Sequence, residues 1–325
     1  MHVLVTGGAG YIGSIAARTF LDAGHDVTVL DSLERGHAAA VDSRATFVQA
    51  PVSDTEALAH TLPGTDLVLH FAGYIDVAES QADPALYFRK NLQEPSVMLV
   101  HMLDSGVRHL VFSSTAAVYG QPDTIPITED APTLPINAYG QSKMEFERRI
   151  EDAESTGELS AVRLRYFNVA GAWADGSLGE AHDPETHIVP RLLAAAASGD
   201  PFTVFGDDYP TPDGTCVRDY IHVLDLANAH LAAAEHLMRD GEGLACNVGG
   251  GRGYSNLEIA ETCARALGRD IQLILGERRP GDPATLVASV DRARQVLGWA
   301  PERDLETMVR DAWRWHSTHP NGYRD

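Results

Sequence analysis

Tyr139 and Lys143 stand four residues apart in the run Tyr-Gly-Gln-Ser-Lys. Positions i and i+4 of a helix share one face, so a phenol and an ammonium spaced this way enter the same cleft. A nearby ammonium favours phenolate, so Lys143 is expected to lower the pKa of Tyr139 and make it a base for a hydroxyl proton. Lys90 is the only other lysine of the chain, which makes the placement of Lys143 informative. Upstream, Ser113-Ser114-Thr115 closes an apolar run, where Thr115 is expected to hydrogen-bond and steady the oxygen that Tyr139 deprotonates. Thr115, Tyr139 and Lys143 are therefore the catalytic candidates.

A second constellation opens the chain. An apolar run at 3–6 leads into Gly7-Gly8-Ala9-Gly10-Tyr11-Ile12-Gly13, with glycines in GxxGxxG spacing. Glycines allow a tight turn and let backbone N–H groups at a helix N-terminus approach a pyrophosphate, whose charge the helix dipole favours. The next apolar run ends in Leu30-Asp31, 18 residues past Gly13. That offset is close to the roughly 20 residues expected for a ribose-binding carboxylate. Asp31 would accept from the 2′-hydroxyl and repel a 2′-phosphate, so NAD is expected over NADP, with Arg35 the one nearby feature pointing the other way.

These residues need elements to position them. Apolar runs at 3–6, 27–30, 46–49, 67–71, 109–113 and 161–166 read as strands, and helical patterns fall at 11–23, 55–61, 84–105 and 138–153. Strict alternation implies βαβ units and an α/β, Rossmann-like, doubly wound parallel sheet. Beyond Gly171 the rhythm breaks into Gly-, Pro- and Asp-rich loops around helical stretches at 190–197 and 225–238. The expected division is an NAD-binding domain over 1–170 and a smaller substrate lobe over 171–325, with segments around 215–250 returning to the first domain. No internal repeat and no Pro/Ser-rich linker intervenes, so the lobes should pack together around a cleft.

Length and composition agree. The 325 residues, 44% hydrophobic, suffice for a core held without disulfides or metal. A formal net charge of −21 argues against nucleic acid or an anionic membrane as partner. No window approaches 18 apolar residues, and no signal sequence is read at the N-terminus. The three cysteines, Cys216, Cys246 and Cys263, are odd in number and form no CxxC pair. Neither a disulfide framework nor a metal site is expected, and a reducing, cytoplasmic setting is.

Further motifs extend the pattern: His70-Phe71-Ala72-Gly73, Arg165-Tyr166-Phe167-Asn168-Val169-Ala170-Gly171, the loop from Tyr209 through Arg218 to Val223, and Arg278-Arg279-Pro280-Gly281-Asp282-Pro283. With the two constellations above, the chain resembles the UDP-hexose 4-epimerases of the extended short-chain dehydrogenase/reductase family over nearly its whole length. The resemblance implies interconversion of UDP-galactose and UDP-glucose through a transient 4-keto sugar, with Tyr139 as the base at the sugar O4 and tightly held NAD as redox partner. It implies NAD contacts at Gly7, Gly10, Tyr11, Ile12, Gly13, Asp31, Ser32 and Val52. On the other side of the cofactor it implies Phe71, Ala72, Gly73, Ile75, Asn91, Ser113, Tyr139, Lys143 and Phe167. The UDP-sugar would be held by Thr115, Tyr139, Asn168, His187, Ile188, Thr203, Phe205, Arg218, Arg279, Asp282 and Leu286. Arginine suits the diphosphate because its planar fork pairs with two oxygens. A homodimer is also implied.

Four positions depart from the family pattern. Ala50-Pro51 precede Val52 where Gly-Asp is usual, which removes a side-chain contact to the adenine amine. Ile75 stands where some relatives have a lysine. Asn91-Leu92-Gln93-Glu94-Pro95 replaces Asn-Val-x-Gly-Thr on the helix that begins the dimer-forming bundle. Leu286 is intermediate between a tyrosine that excludes N-acetyl sugars and a small residue that admits them, so UDP-N-acetylglucosamine and UDP-glucuronate stay open as substrates. Dehydratases of the family place Asp-Glu directly after the threonine. Ala116 and Ala117 occupy those positions, and neither can protonate a leaving hydroxyl. A dinucleotide-sensing regulatory protein on the same fold would not need Thr115, Tyr139 and Lys143 together, a distinction fold alone does not make.

Overall fold

A computed structural model describes residues 1–278 and 282–323. In chain order the first half holds β1 (His2–Thr6), α1 (Tyr11–Asp22), β2 (Asp26–Asp31), β3 (Thr46–Gln49), α2 (Thr55–Thr61), β4 (Leu67–His70), α3 (Val77–Ala82), α4 (Pro84–Phe88), α5 (Glu94–Asp104), β5 (His109–Thr115), α6 (Ala138–Ser155) and β6 (Ser160–Tyr166). The second half holds β7 (Asn168–Ala170), α7 (Ile188–Ser198), β8 (Phe202–Phe205), β9 (Val217–His222), α8 (Val223–Asp240), β10 (Leu244–Val248), β11 (Gly253–Ser255), α9 (Asn256–Leu267), β12 (Leu273–Gly276), β13 (Thr285–Leu286) and α10 (Leu305–Thr318).

Seven strands form one parallel sheet in the order β10-β6-β5-β4-β1-β2-β3. Its strands are apolar at successive positions because helices cover both faces. Val3 and Val5 of β1 pack with Leu226 and Ala229 of α8 on one side, while Leu4 packs with Met98 of α5 and Phe146 of α6 on the other. Fully burying one such side chain contributes roughly 1.5–3 kcal/mol. The strand order reverses between β1 and β4, and the crevice beyond their carboxyl ends is where ligands bind in such sheets.

The stretch expected as one helix over 84–105 is interrupted. α4 passes through a wide π turn at Arg89–Gln93 into α5, whose first turn contains Pro95. Proline lacks an N–H and is tolerated only where that donor has no helical partner, so the π turn accommodates it. Nor did periodicity mark α3, α9, α10 or the strands β7–β13. β10 completes the main sheet beside β6, and α8 packs on α1. The remaining strands form two small sheets, β7 and β11 with β9 and β13, and β8 with β12. A separate core joins Leu192 and Leu193 of α7, Ile259 and Cys263 of α9, and Met308 and Val309 of α10. No helix among the described residues is long and apolar enough to cross a membrane.

Asp219 on β9 ties its small sheet to the chain that leaves β10 and to the segment after β13. Its carboxylate accepts from the N–H groups of Gly250 at 2.6 Å, Gly251 at 3.1 Å and Ala288 at 3.0 Å. Asp225 is committed in the same way to the backbone at Glu302 and Arg303. Neither acid neutralises Arg218, whose guanidinium instead faces Asp282 at 3.8 Å.

Candidate active site

The turn after β1 is built so that backbone approaches backbone. Gly7 has φ +73°, and a Cβ there would lie 2.4 Å from the Ala72 nitrogen. A Cβ on Gly13 would lie 2.1 Å from the Gly7 oxygen, so neither glycine is replaceable without moving the chain. At Gly10, the residue that starts α1, a Cβ would meet nothing closer than 3.4 Å. This side of the helix N-terminus is therefore open, and α1 has neither a side-chain cap nor an acid in its first turn to compete with a bound anion.

Asp31 is held rigid at the rim. Its two oxygens accept from the N–H groups of Ala9 at 2.9 Å and Leu33 at 2.8 Å. Each oxygen retains a lone pair for a ribose hydroxyl. Arg35, the feature that had favoured a 2′-phosphate, forks onto Glu79 at 2.7 Å to both oxygens and stacks over Tyr74 at 3.9 Å. The donor set therefore fits NAD.

Across the crevice the catalytic candidates come from β5 and α6. The Asn137 side chain accepts from the Gly140 N–H at 2.8 Å and starts α6. A Cβ on Gly140 would lie 2.6 Å from the Ala117 oxygen, so this glycine lets α6 close against the turn that follows Thr115. Tyr139 and Thr115 both line the cleft. Burial pushes the Tyr139 phenol above its ordinary pKa, and its hydrogen bond with Thr115 pulls it back in part. The Lys143 ammonium is buried and donates to the Ser113 carbonyl at 3.1 Å.

Burial lowers Lys143 itself to about 8, with Glu147 opposing the shift. Its folded-state pKa thus lies below the unfolded value of about 10.4. Under pH 8 both states bind the proton and the full cost of burying the ammonium is present; between about 8 and 10.4 the unfolded state binds more protons, so stability rises with pH. Lys143→Met should therefore stabilise the fold at pH 7 by about 2 kcal/mol, after loss of the Ser113 hydrogen bond is subtracted. The difference should shrink toward pH 10. Urea denaturation of both proteins across this range tests it, and a variant less stable at pH 7 would reject the argument.

The cleft has a volume of about 1180 Å³. It brings together the glycine turn with Tyr11 and Ile12, then Asp31, Ser32, Val52, Phe71, Ala72, Gly73, Ile75 and Phe167. Its other end holds Asn168, His187, Ile188, Thr203, Phe205, Arg218, Asp282 and Leu286. Three residues expected to touch the cofactor do not line it: Asn91, Ser113 and Lys143. Asn91 is buried and spends its amide on both backbone groups of Tyr74, at 2.7 and 2.9 Å, which fixes the loop after β4. Ser113 lies behind the wall, where the His230 Nδ1–H donates to the Leu226 carbonyl at 2.9 Å and leaves Nε2 to accept from Ser113 Oγ at 3.0 Å. Burial takes His230 down to about 4, which keeps that acceptor neutral. Arg279 lies outside the described residues.

Two features were missed. Tyr166, at the carboxyl end of β6 and paired with Thr115 in the register, lines the cleft and has its phenol pushed up by burial and by Tyr139; its place in the motif at 165–171 was the available signal. Glu180, His182, Glu185 and His187 also gather in the cleft wall, their ligand atoms all within 4.8 Å of one another. The spacing Glu-x-His-x-x-Glu-x-His is visible in the sequence, although the cysteines alone suggest no metal site.

Residues 3–249 match the NAD dependent epimerase/dehydratase family. The chain belongs to that family. The protein from Lactobacillus helveticus known as UDP-glucose 4-epimerase is 48% identical, over 100% of both chains. The UDP-glucose 4-epimerase of Stenotrophomonas maltophila, solved with bound NAD and formylated UDP-arabinopyranose, superposes with a TM-score of 0.96 at 40% identity, covering 98% of this chain and 99% of that one. The Bifidobacterium longum enzyme in complex with NAD+ and UDP gives a TM-score of 0.94 at 36% identity, covering 99% and 100%. The parallel sheet and its crevice are thus those of this NAD-dependent epimerase family.

Proposed function

We propose that the protein is an NAD-dependent epimerase that inverts C4 of a UDP-hexose, interconverting UDP-galactose and UDP-glucose through a transient 4-keto sugar. The observation that carries this reading is the pairing of Tyr139 with Thr115 at the cleft, followed directly by Ala116 and Ala117. Bound NAD supplies the hydride acceptor and donor. Tyr139 takes the proton from the sugar O4 and gives it back, and Thr115 holds the same oxygen so that the phenol meets it in line. The buried Lys143 ammonium anchors the end of β5 at Ser113 and adds positive potential behind the phenol. With alanines at 116 and 117, no acid is placed to expel a hydroxyl, so the keto sugar is retained and not dehydrated. In this reading Arg218 pairs with the diphosphate, which its place in the cleft wall, 3.8 Å from Asp282, supports.

The cofactor residues are the glycine turn with Asp31, and the anion site is the N-terminus of α1. The working unit in this proposal is a homodimer in the cytoplasm. α5 keeps Val100 exposed on its outer face despite Glu94 and Pro95, and the three cysteines are all buried with no disulfide among the described residues. Incubation with UDP-galactose, followed by proton NMR, should show UDP-glucose accumulating without net reduction of NAD. Absence of C4 inversion on UDP-galactose, UDP-N-acetylglucosamine and UDP-glucuronate alike would overturn the reading.

A further inference from the structure

The loop between β7 and α7 carries four convergent donors that redox catalysis at a sugar does not use. Glu180 Oε1 lies 2.7 Å from His187 Nδ1 and 3.1 Å from His182 Nδ1. Glu185 Oε1 lies 3.3 Å from His187 Nδ1, and its Oε2 lies 3.7 Å from His182 Nδ1. The Glu180 side chain is only 4% exposed. Yet Glu180 Oε1, His182 Nδ1 and His187 Nδ1 are all buried without a directional hydrogen bond. Atoms this close whose lone pairs miss one another are aimed at a common point between them.

The separations identify what fits there. Four tetrahedral donors about 2.0–2.1 Å from one ion stand about 3.3 Å from each other. The four histidine–carboxylate contacts run from 2.7 to 3.7 Å around that value, and all the donor atoms lie within 4.8 Å of one another. From this convergence we infer that Glu180, His182, Glu185 and His187 form a four-ligand zinc site of the N2O2 type. Borderline nitrogen donors with two carboxylates suit Zn2+ above Mg2+ or Ca2+, and two carboxylates neutralise a divalent ion. Glu180 is buried while His182, Glu185 and His187 are part-exposed in the cleft wall, and four protein donors already complete a tetrahedral shell, as in a structural site. The ligands are also oriented from behind: the His187 N–H donates to Glu185 Oε1 at 2.8 Å, and Trp315 Nε1 donates to the Glu180 carbonyl at 2.8 Å.

The site would clamp a loop that meets both ligands of the cleft. His182 packs edge-on against Tyr11 with ring centroids 6.3 Å apart, and the Tyr11 hydroxyl donates to the Gly171 carbonyl at 2.6 Å. His187 leads directly into Ile188 and α7, whose N-terminus has no side-chain cap. One ion would therefore hold the start of α7 against the glycine turn, and the assignment moves His187 from the sugar to the metal.

Protein produced without a metal-affinity tag, in medium containing zinc, should hold about one zinc per chain by elemental analysis. Chelation should lower the melting temperature, and added Zn2+ should restore it. Cobalt substitution should give visible d–d bands of tetrahedral intensity with no thiolate charge-transfer band. His182→Ala and Glu185→Ala should each reduce zinc content at least tenfold. Under one tenth of an equivalent in the wild type, with no thermal response to Zn2+, would overturn the proposal and leave an ion-pair cluster with protonated histidines. Full zinc retention in His182→Ala would equally overturn it. The cobalt spectrum of the wild type keeps the test decisive should a variant fail to fold.

Discussion

Tyr139→Phe should lower kcat by about 10²- to 10⁴-fold, equivalent to roughly 3–5 kcal/mol of transition-state stabilisation, while the protein still binds NAD. The substitution removes one oxygen and keeps the ring, which packs edge-on against Tyr87 at 6.4 Å between centroids. Nothing in the glycine turn or around Asp31 depends on that oxygen, so cofactor binding has no reason to fall with turnover. Without the phenol, Thr115 faces the sugar O4 alone, and a hydroxyl of ordinary pKa is a poor base. Because burial holds the Tyr139 phenol above its usual pKa, proton transfer depends on the hydrogen bond from Thr115 as well, and Thr115→Val should slow turnover in the same direction but by less. Steady-state turnover measured beside the NAD content of the purified variant separates lost chemistry from lost structure. Turnover of Tyr139→Phe within tenfold of the wild type would remove Tyr139 from the role of base.

What could be read in the sequence was what local spacing encodes. Gly7, Gly10 and Gly13 announce a turn because their offsets alone determine which backbone atoms can approach. Asp31 follows from its distance along one βαβ unit, and Tyr139 with Lys143 from helical periodicity. What escaped depends on burial or on distant partners. The burial of Lys143 against the Ser113 carbonyl, which lowers its own pKa, is something no i+4 rule reports. The hold of Asn91 on the backbone of Tyr74, 17 residues away, is likewise invisible to local spacing. The return of the segment around 215–250 to the first domain was expected, but its place beside β6 as strand β10 was not, because the loops before it hide its period. The cluster at 180–187 is local in sequence, yet it lies on a loop without periodicity, so only the folded geometry shows the four donors converging.

The largest effect expected on stability comes from a pair that the sequence did not flag. Glu147 follows Lys143 by one helical turn, on the same face of α6, and is buried together with Arg165 of β6. The Arg165 guanidinium donates to Glu147 through Nε at 3.0 Å and Nη2 at 2.5 Å, and through Nη1 to the Tyr119 hydroxyl at 3.1 Å. Tyr119 passes the chain on to Asn247 Oδ1 at 2.7 Å, and Ser114 donates to the remaining face of Glu147. The network thereby links α6, β5, β6 and β10. Replacing one partner leaves the other charge buried without compensation, so Glu147→Gln or Arg165→Met should each cost about 3–5 kcal/mol. Replacing both together, as Glu147→Leu with Arg165→Met, removes both desolvation penalties and should recover most of that loss. Urea denaturation of the three variants decides it: additive losses in the double variant would show that the pair is not acting as a compensated buried charge. Glu147 also supports the charge on Lys143. Glu147→Gln should therefore depress turnover at alkaline pH beyond what its stability explains, whereas Arg165→Met, which leaves the carboxylate in place, should not.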